Sequence, residues 1–240
     1  NIYKKNITNF RIKFKKLNTL INSNFVENIN KKNNYNGKIY LNFSGSEINT
    51  DYEIIDDQIT FKSKDSILNN NSMNFEGEIS LSPFHYNVKV DLEQVSAEKV
   101  VENLSQLKNL LNEKIFLNKN VNGKIIFNIN SLQKLKFFEE AQIIFTTING
   151  KLTLDNSTLK SNKIGKMVFT DSSLKSIDDK KIFKTNIVFE IYDQKKFYQK
   201  LQIPKNVRLK LNNIYFELEK DINKDEIIIN KFILNKNTTN

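Results

Sequence analysis

The chain of 240 residues contains no cysteine and only one histidine, His85. Without cysteine it forms no disulfide and has no thiol nucleophile. A zinc site needs several nitrogen or sulfur ligands, and a single histidine does not supply them. A serine triad would need the same histidine, and no serine stands in a G-x-S-x-G motif. We therefore expect no catalytic residues, no bound metal and no cofactor.

Proline and glycine are scarce as well, with two and six residues. These numbers are low for a compact sandwich with many tight turns. No two glycines lie close enough to form a phosphate loop or a dinucleotide-binding motif. No run approaches the roughly 18 apolar residues of a membrane-spanning helix. The chain begins with Asn1 and shows no signal peptide, so we expect it to be a piece of a longer protein with its anchor elsewhere.

Arginine is in short supply too, although the formal net charge is +10. Arg11 and Arg208 are the only arginines, and arginine is the side chain that reads bases and grips phosphates bidentately. The lysines are spread along the whole chain, whereas a nucleic-acid interface gathers them on one face. We therefore predict no nucleic-acid partner. Attraction to anionic lipid headgroups is at least as compatible with this charge.

The chain does contain a repeated three-residue motif of glycine, a charged residue and an apolar residue. Its five copies are Gly37-Lys38-Ile39, Gly77-Glu78-Ile79, Gly123-Lys124-Ile125, Gly150-Lys151-Leu152 and Gly165-Lys166-Met167. After most copies the apolar residues alternate with other residues, which is the period of a β-strand with one apolar face. We interpret each glycine as a turn residue that precedes a strand.

The pattern predicts a mainly β fold, a long curled antiparallel sheet in the form of a groove, with one amphipathic helix and short helical turns. The predicted segments are a strand-rich part at 1–92, the amphipathic helix at 93–118 and a second β part at 119–240. The helix would cover an edge or an open end of the sheet. Within these parts, we expect one strand and then a loop or helical turn in 1–36. Short helices are predicted at 132–138 and 193–201, and a strand at 207–211.

The alternating apolar residues are the candidate functional residues. They are Ile39, Leu41, Phe43, Ile79, Leu81, Ile125, Phe127, Ile129, Phe145, Leu152, Leu154, Met167, Phe169, Phe189 and Ile191. One interpretation is a closed sandwich core, the common fate of such a stripe. The other is a trough whose apolar wall stays available to acyl chains. Few tight-turn signals and too few helices to cover a large sheet favour the trough.

Four segments carry a resemblance to a known family. They are Asn122-Gly123-Lys124-Ile125-Ile126-Phe127, Ile143-Ile144-Phe145, Asn149-Gly150-Lys151-Leu152-Thr153-Leu154 and Ile164-Gly165-Lys166-Met167. Together they resemble the AsmA-like family of bacterial envelope proteins, which repeats a strand, an Asn-Gly turn and another strand. The resemblance implies a β-groove in the periplasm, tethered to the inner membrane by a helix and linked to phospholipid movement and outer-membrane assembly. It implies no catalytic residue.

The expected function is therefore non-enzymatic. The chain would shield or conduct phospholipid acyl chains between the inner and outer membranes, with phospholipid and envelope proteins as partners. The alternative is a closed β domain that binds a protein partner. Lipid that purifies with the chain would distinguish the two.

Overall fold

A computed structural model describes residues 7–14, 19–27, 33–43, 46–96, 98, 117–135, 137–177, 180–224 and 226–235. Most of these residues lie in β-strands, which confirms the predicted mainly β fold. The chain divides into two compact units, Asn1–Gln94 and Val95–Asn240. They are called unit 1 and unit 2 below.

Unit 1 is an antiparallel sheet of consecutive strands. The strands are β1 (Ile7–Phe14), β2 (Thr19–Glu27), β3 (Asn34–Phe43), β4 (Ser46–Ile55), β5 (Gln58–Ser63), β6 (Ser66–Leu68), β7 (Asn71–Leu81) and β8 (Phe84–Leu92). Their order is β1-β2-β3-β4-β5-β7-β8, with the short β6 between β4 and β7. Every pair in this unit is antiparallel, as expected for strands joined by short turns.

Unit 2 repeats the antiparallel arrangement. Its strands are β9 (Val95–Ser96), β10 (Asn122–Ile129), β11 (Leu132–Gln133), β12 (Glu140–Ile148), β13 (Lys151–Thr153), β14 (Thr158–Ser161), β15 (Gly165–Ile177), β16 (Lys180–Ile191), β17 (Asn213–Asp221) and β18 (Ile228–Leu234). The order is β10-β12-β13-β15-β16-β17-β18, with β14 between β12 and β15. Among the described strands of this unit, only β9 and β11, each two residues long, pair in parallel.

In each unit, two short strands lie end to end between the same two long strands, β5 and β6 between β4 and β7, and β13 and β14 between β12 and β15. A buried serine bridges the gap between the two short strands. In unit 1, the Ser66 hydroxyl accepts from the Asn49 N–H (3.0 Å) and donates to the Asn49 carbonyl (3.2 Å). In unit 2, the Ser157 hydroxyl makes the same two bonds with Ile144 (2.8 and 3.4 Å). These serines satisfy backbone groups that would otherwise be buried without a partner, so the sheet continues past each break.

The glycines of the repeated motif do not all lie in turns before strands. Gly150 lies in the turn after β12 with φ +76°, as predicted, but Gly37 and Gly77 stand inside β3 and β7. There an aromatic ring of the neighbouring strand lies over the glycine, Tyr52 over Gly37 and Phe61 over Gly77. The absence of a Cβ therefore serves close packing at these two positions rather than a turn. Several turns instead use Asn or Asp at positive φ, for example at Asp56 and Asn149.

Three local predictions were wrong. Residues 1–36 contain two complete strands and the start of β3, because β1 and β2 pair over eight residues. The described residues of 132–138 are not helical, and Leu132 and Gln133 form β11. The segment 207–211 is not a strand, and a 3-10 turn occupies Lys205–Val207 instead. The predicted helix at 93–118 falls mostly outside the described residues. Of the described ones, Val95–Ser96 form a short strand and Glu98 is helical.

The helix predicted at 193–201 is confirmed as α1 (Gln194–Lys200). Asp193 caps it, because its carboxylate accepts from the Lys196 N–H at 3.0 Å. This contact also holds the pKa of Asp193 below its usual value. Phe197 and Tyr198 project from α1 into a buried cluster of unit 2, which comprises Phe138, Ile164, Phe189, Phe197, Tyr198, Leu211 and Ile214.

Candidate functional site

The strand register places the apolar residues of unit 1 on one face of its sheet. One continuous row across β3, β4, β5, β7 and β8 consists of Tyr35, Ile54, Ile59, Ile79 and Tyr86. The adjacent row consists of Gly37, Tyr52, Phe61, Gly77 and Val88. Directly paired residues point to the same side of a sheet, so these rows form one apolar surface. We call it the unit 1 apolar face.

The other face of the same strands is charged. The row between those two consists of Asn36, Glu53, Thr60, Glu78 and Asn87, and the next consists of Lys38, Asp51, Lys62, Glu76 and Lys89. Lys38 lies 3.7 Å from Asp51 and Lys62 lies 3.5 Å from Glu76. All four side chains are exposed, so each ion pair adds at most about 1 kcal/mol of stability. The alternation of signs avoids repulsion between directly opposed charges.

The predicted residues of unit 1 take different degrees of exposure on the apolar face. Leu81 is 49% exposed and Ile39 is exposed, whereas Leu41 and Ile79 are half-buried. The side chain of Phe43 lies outside the described part of the structure. Unit 1 therefore leaves apolar side chains of this face in contact with solvent.

Sequence reasoning missed several aromatic members of this face, among them Tyr52, Phe61, Phe75 and Tyr86. The rings of Phe61 and Phe75 lie 6.1 Å apart on neighbouring strands. Alternation at 52–55 and 58–62 was visible in the sequence. Which residues share a face with Ile39 depends on the strand register, which the sequence alone does not reveal.

Unit 2 has an apolar face of its own. One row crosses seven strands and consists of Ile129, Ala141, Leu159, Met167, Phe189, Ile214 and Leu234. A second row crosses β15 to β18 and consists of Phe169, Ile187, Phe216 and Phe232. Ile125 opposes Phe145, and Phe127 opposes Ile143, on the same side. The predicted strand residues of this unit therefore share one face.

One part of this face is closed. The cluster under α1 includes Phe189, which is 5% exposed, and Met167 and Ile191 pack against it. Leu152 is also buried, opposite Leu174 on β15. At these positions the apolar face is an ordinary core.

The other part of the face, on β10 and β12, is less enclosed. Ile125, Phe127, Ile129 and Phe145 are all half-buried. The rings of Phe127 and Phe145 meet edge to face, with centroids 6.0 Å apart. Leu154 and Phe169 are half-buried too. This half-buried patch and the unit 1 apolar face are two described surfaces that an apolar ligand could cover.

A cleft of about 570 Å³ in unit 1 was not predicted. It lies on the polar face and is lined mainly by Asn9, Arg11, Asn22, Asn24, Lys38, Tyr40, Asn49, Asp51 and Lys64. These amides and cations suit hydroxyl groups and anions rather than acyl chains. Ile39 also lines this cleft. The other candidate apolar residues of unit 1 that the structure describes do not line it.

Shifted pKa values belong to structural pairs in unit 2. Burial raises the pKa of Tyr215 to about 12, helped by the Glu217 carboxylate, which accepts the phenol hydrogen bond at 2.9 Å. The Lys184 ammonium, 2.8 Å from Glu219, holds the pKa of that carboxyl below its usual value. Among the described residues, no group of three acidic or histidine side chains is placed to share a metal ion.

Within the same residues, no helix combines the length and apolar character that a membrane crossing requires. Comparison with models of protein families, with curated proteins and with solved structures finds no match to any of them. The resemblance to the AsmA-like family therefore stays a prediction.

Proposed function

We propose that the chain is a non-enzymatic module of a bacterial envelope that holds phospholipid acyl chains against its apolar sheet faces. The observation that supports this most is the one-sidedness of unit 1. Its apolar rows lie opposite charged rows, and apolar side chains such as Leu81 and Ile39 remain exposed. Soluble proteins rarely leave such contiguous apolar surface without a ligand or partner.

The half-buried patch of unit 2 supports the same function. Full burial of a Phe or Ile side chain stabilises by about 1.5–3 kcal/mol. Phe127, Phe145 and Ile125 are only half-buried, so part of that free energy is still available to a bound chain. An acyl chain matches this surface because it has no polar group that would need a partner.

The first experiment replaces Phe127 and Phe145 together by Asp and measures phospholipid in the purified chain by mass spectrometry. Two desolvated carboxylates would repel acyl chains, so we expect the recovered lipid to fall. The matched control is Asn128→Asp with Gln142→Asp. These two residues oppose each other on the same strands but on the other face. The control carries the same added charge and should keep its lipid.

A second variant guards against loss of folding. This variant carries Ile39→Asp and Leu81→Asp together. Both residues are already exposed, so the effect on the free energy of unfolding should be small. Circular dichroism and thermal melting establish that each variant is folded. Unchanged lipid recovery in both folded variants would refute the proposal, as would a parent chain that purifies without phospholipid.

We further propose a periplasmic location, with a tether to the inner membrane outside this chain and a role in outer-membrane assembly. The resemblance of 122–167 to the AsmA-like family supports this. Because the chain has no cysteine, a single Ser82→Cys variant gives one labelling site on an exposed turn. A maleimide that does not cross the inner membrane should label it in cells with a permeabilised outer membrane. Labelling only after lysis would contradict the location.

The second candidate is a closed β domain that binds a protein partner. The buried cluster around Phe189 favours it, since this part of unit 2 already has a complete core. A chain without phospholipid and with slowly exchanging amides on β10 and β12 would support this candidate instead.

A further inference from the structure

The loop between α1 and β17 combines exposed apolar side chains with positive charge. We call residues 201–210 the basic–apolar loop. Val207 and Leu209 are 58% and 62% exposed, and Leu201 is exposed as well. From 194 to 216 the chain carries six cations and no carboxylate. The cations are Lys195, Lys196, Lys200, Lys205, Arg208 and Lys210.

The exposed side chains stand on a well-ordered support. The Arg208 guanidinium donates two hydrogen bonds to the Ile203 carbonyl, at 2.9 and 2.8 Å, and lies 5.6 Å from the ring centre of Tyr198. The Tyr198 hydroxyl donates to the Leu209 carbonyl at 2.6 Å and accepts from the Leu209 N–H at 3.2 Å. Tyr198 itself is buried in the core cluster. The loop is therefore tied to the core at both Arg208 and Leu209.

Two apolar residues flank Arg208, and both are exposed. Arg208 has extended backbone angles, φ −77° and ψ 129°, and its side chain folds back onto Tyr198. In extended backbone, neighbouring side chains point to opposite sides. Leu209 consequently points away from the core, and Val207, the last residue of the 3-10 turn, is exposed as well.

We propose that the basic–apolar loop docks into the surface of an anionic lipid bilayer. Val207 and Leu209 enter the boundary between headgroups and acyl chains, and Lys205, Lys210 and Lys200 lie among the anionic headgroups. Charge complementarity selects this partner, because a segment with lysines and no carboxylate is attracted to an anionic surface. The apolar pair adds the buried area that interfacial binding requires.

A nucleic acid fits the same segment less well. The one arginine of the loop uses its Nε–H and one Nη2–H on the Ile203 carbonyl, which leaves three of its five N–H donors and ties its orientation to the loop backbone. Two outward aliphatic side chains contribute nothing to phosphate binding. They would, however, lower their exposure in a bilayer.

Docking requires no acyl chain on the apolar faces, so this inference does not rest on the proposed function. A Phe127→Asp, Phe145→Asp variant that loses its lipid should still bind vesicles. Loss of bound lipid with vesicle binding retained, or the reverse, therefore distinguishes failure of the proposed function from failure of the docking proposal.

The test measures binding of the 240-residue chain to vesicles by co-sedimentation. One set of vesicles is pure phosphatidylcholine, and the other contains 30 mol% phosphatidylglycerol, a composition chosen at roughly the level at which surface potential dominates. We expect binding to the anionic vesicles and at least about fivefold weaker binding to the neutral ones. Val207→Ser with Leu209→Ser should weaken anionic binding by about tenfold or more.

Two further variants separate the contributions. Lys205→Gln with Lys210→Gln should weaken anionic binding by about tenfold and leave neutral vesicles unaffected. The matched control is Ile227→Ser with Ile228→Ser, which removes two equally exposed aliphatic side chains elsewhere in unit 2 and should change nothing. Thermal melting checks that every variant is folded.

Three results would overturn the proposal. The first is equal vesicle binding by the parent and the Val207→Ser, Leu209→Ser variant. The second is an equal loss in the Ile227→Ser, Ile228→Ser control. The third is a combination of two observations: only the lysine changes weaken binding to the anionic vesicles, and a DNA duplex displaces the chain from those vesicles completely. Together they would indicate a surface that binds any polyanion.

Discussion

Replacement of Gly37 by alanine tests the close packing of an aromatic ring over a glycine. A Cβ on Gly37 would lie 2.6 Å from the hydroxyl oxygen of Tyr52 and 2.8 Å from its Cζ, and it would also meet the Asn24 carbonyl. The Tyr52 hydroxyl donates to that same carbonyl at 2.9 Å. The new methyl group must therefore move both a ring and a neighbouring strand.

The magnitude follows from three contributions. Overpacking of a tight site costs about 1–3 kcal/mol, and displacement of Tyr52 loses a hydrogen bond worth about 1 kcal/mol. The change from Gly to Ala also lowers the conformational entropy of the unfolded chain, which stabilises the folded chain by about 0.4–1 kcal/mol. We expect Gly37→Ala to lower the free energy of unfolding by about 2 kcal/mol, or the melting temperature by about 4–8 °C.

The assay is thermal and urea unfolding followed by circular dichroism. Asn36→Ala, at an exposed neighbouring position on β3, is the control and should stay within about 0.5 kcal/mol of the parent. In a Tyr52→Ala background the cost of Gly37→Ala should shrink, because the ring is gone. A Gly37→Ala chain as stable as the parent would show that Tyr52 does not pack over this glycine.

Two further predictions concern unit 2. Tyr215 should ionise near pH 12 in an ultraviolet titration, above its usual 10.0, because of burial and its bond to Glu217. As the pH rises, Tyr215 ionises in the unfolded chain before it ionises in the folded one. The free energy of unfolding that this raised pKa contributes is therefore complete below about pH 10 and is lost as the pH rises to 12. The Tyr215→Phe variant should not show this loss of stability. Ser157→Ala should lower the free energy of unfolding by about 1–3 kcal/mol, since the Ile144 N–H and carbonyl lose their partner. Urea unfolding measures it, exposed Ser176→Ala is the control, and equal stability of the two would contradict the bridging role.

Much of the β architecture was predictable from local patterns. Alternation at Ile39 and Leu41, and again at Ile125 and Phe127, depends only on the period of two of an extended chain. The turn between β4 and β5 depends on local chemistry in the same way, because Asp56 takes the positive φ that Asp tolerates. Failures occurred where pairing with distant residues decides the structure. The segment 132–138 looked helical by spacing, but Leu132 and Gln133 pair with Val95 and Ser96.

The candidate site divides along the same line. Sequence alone determined that Phe127, Phe145, Phe189 and Met167 are apolar residues of strands, because alternation is a local property. Only the tertiary structure decided that Phe189 and Met167 lie beneath α1 while Phe127 and Phe145 stay half-buried. The coverage of a side chain depends on which distant segment packs against it, and no local pattern contains that information. For the same reason the sequence predicted Val207 and Leu209 as strand residues, and only the tertiary structure showed that both are exposed beside the Arg208 and Tyr198 contacts.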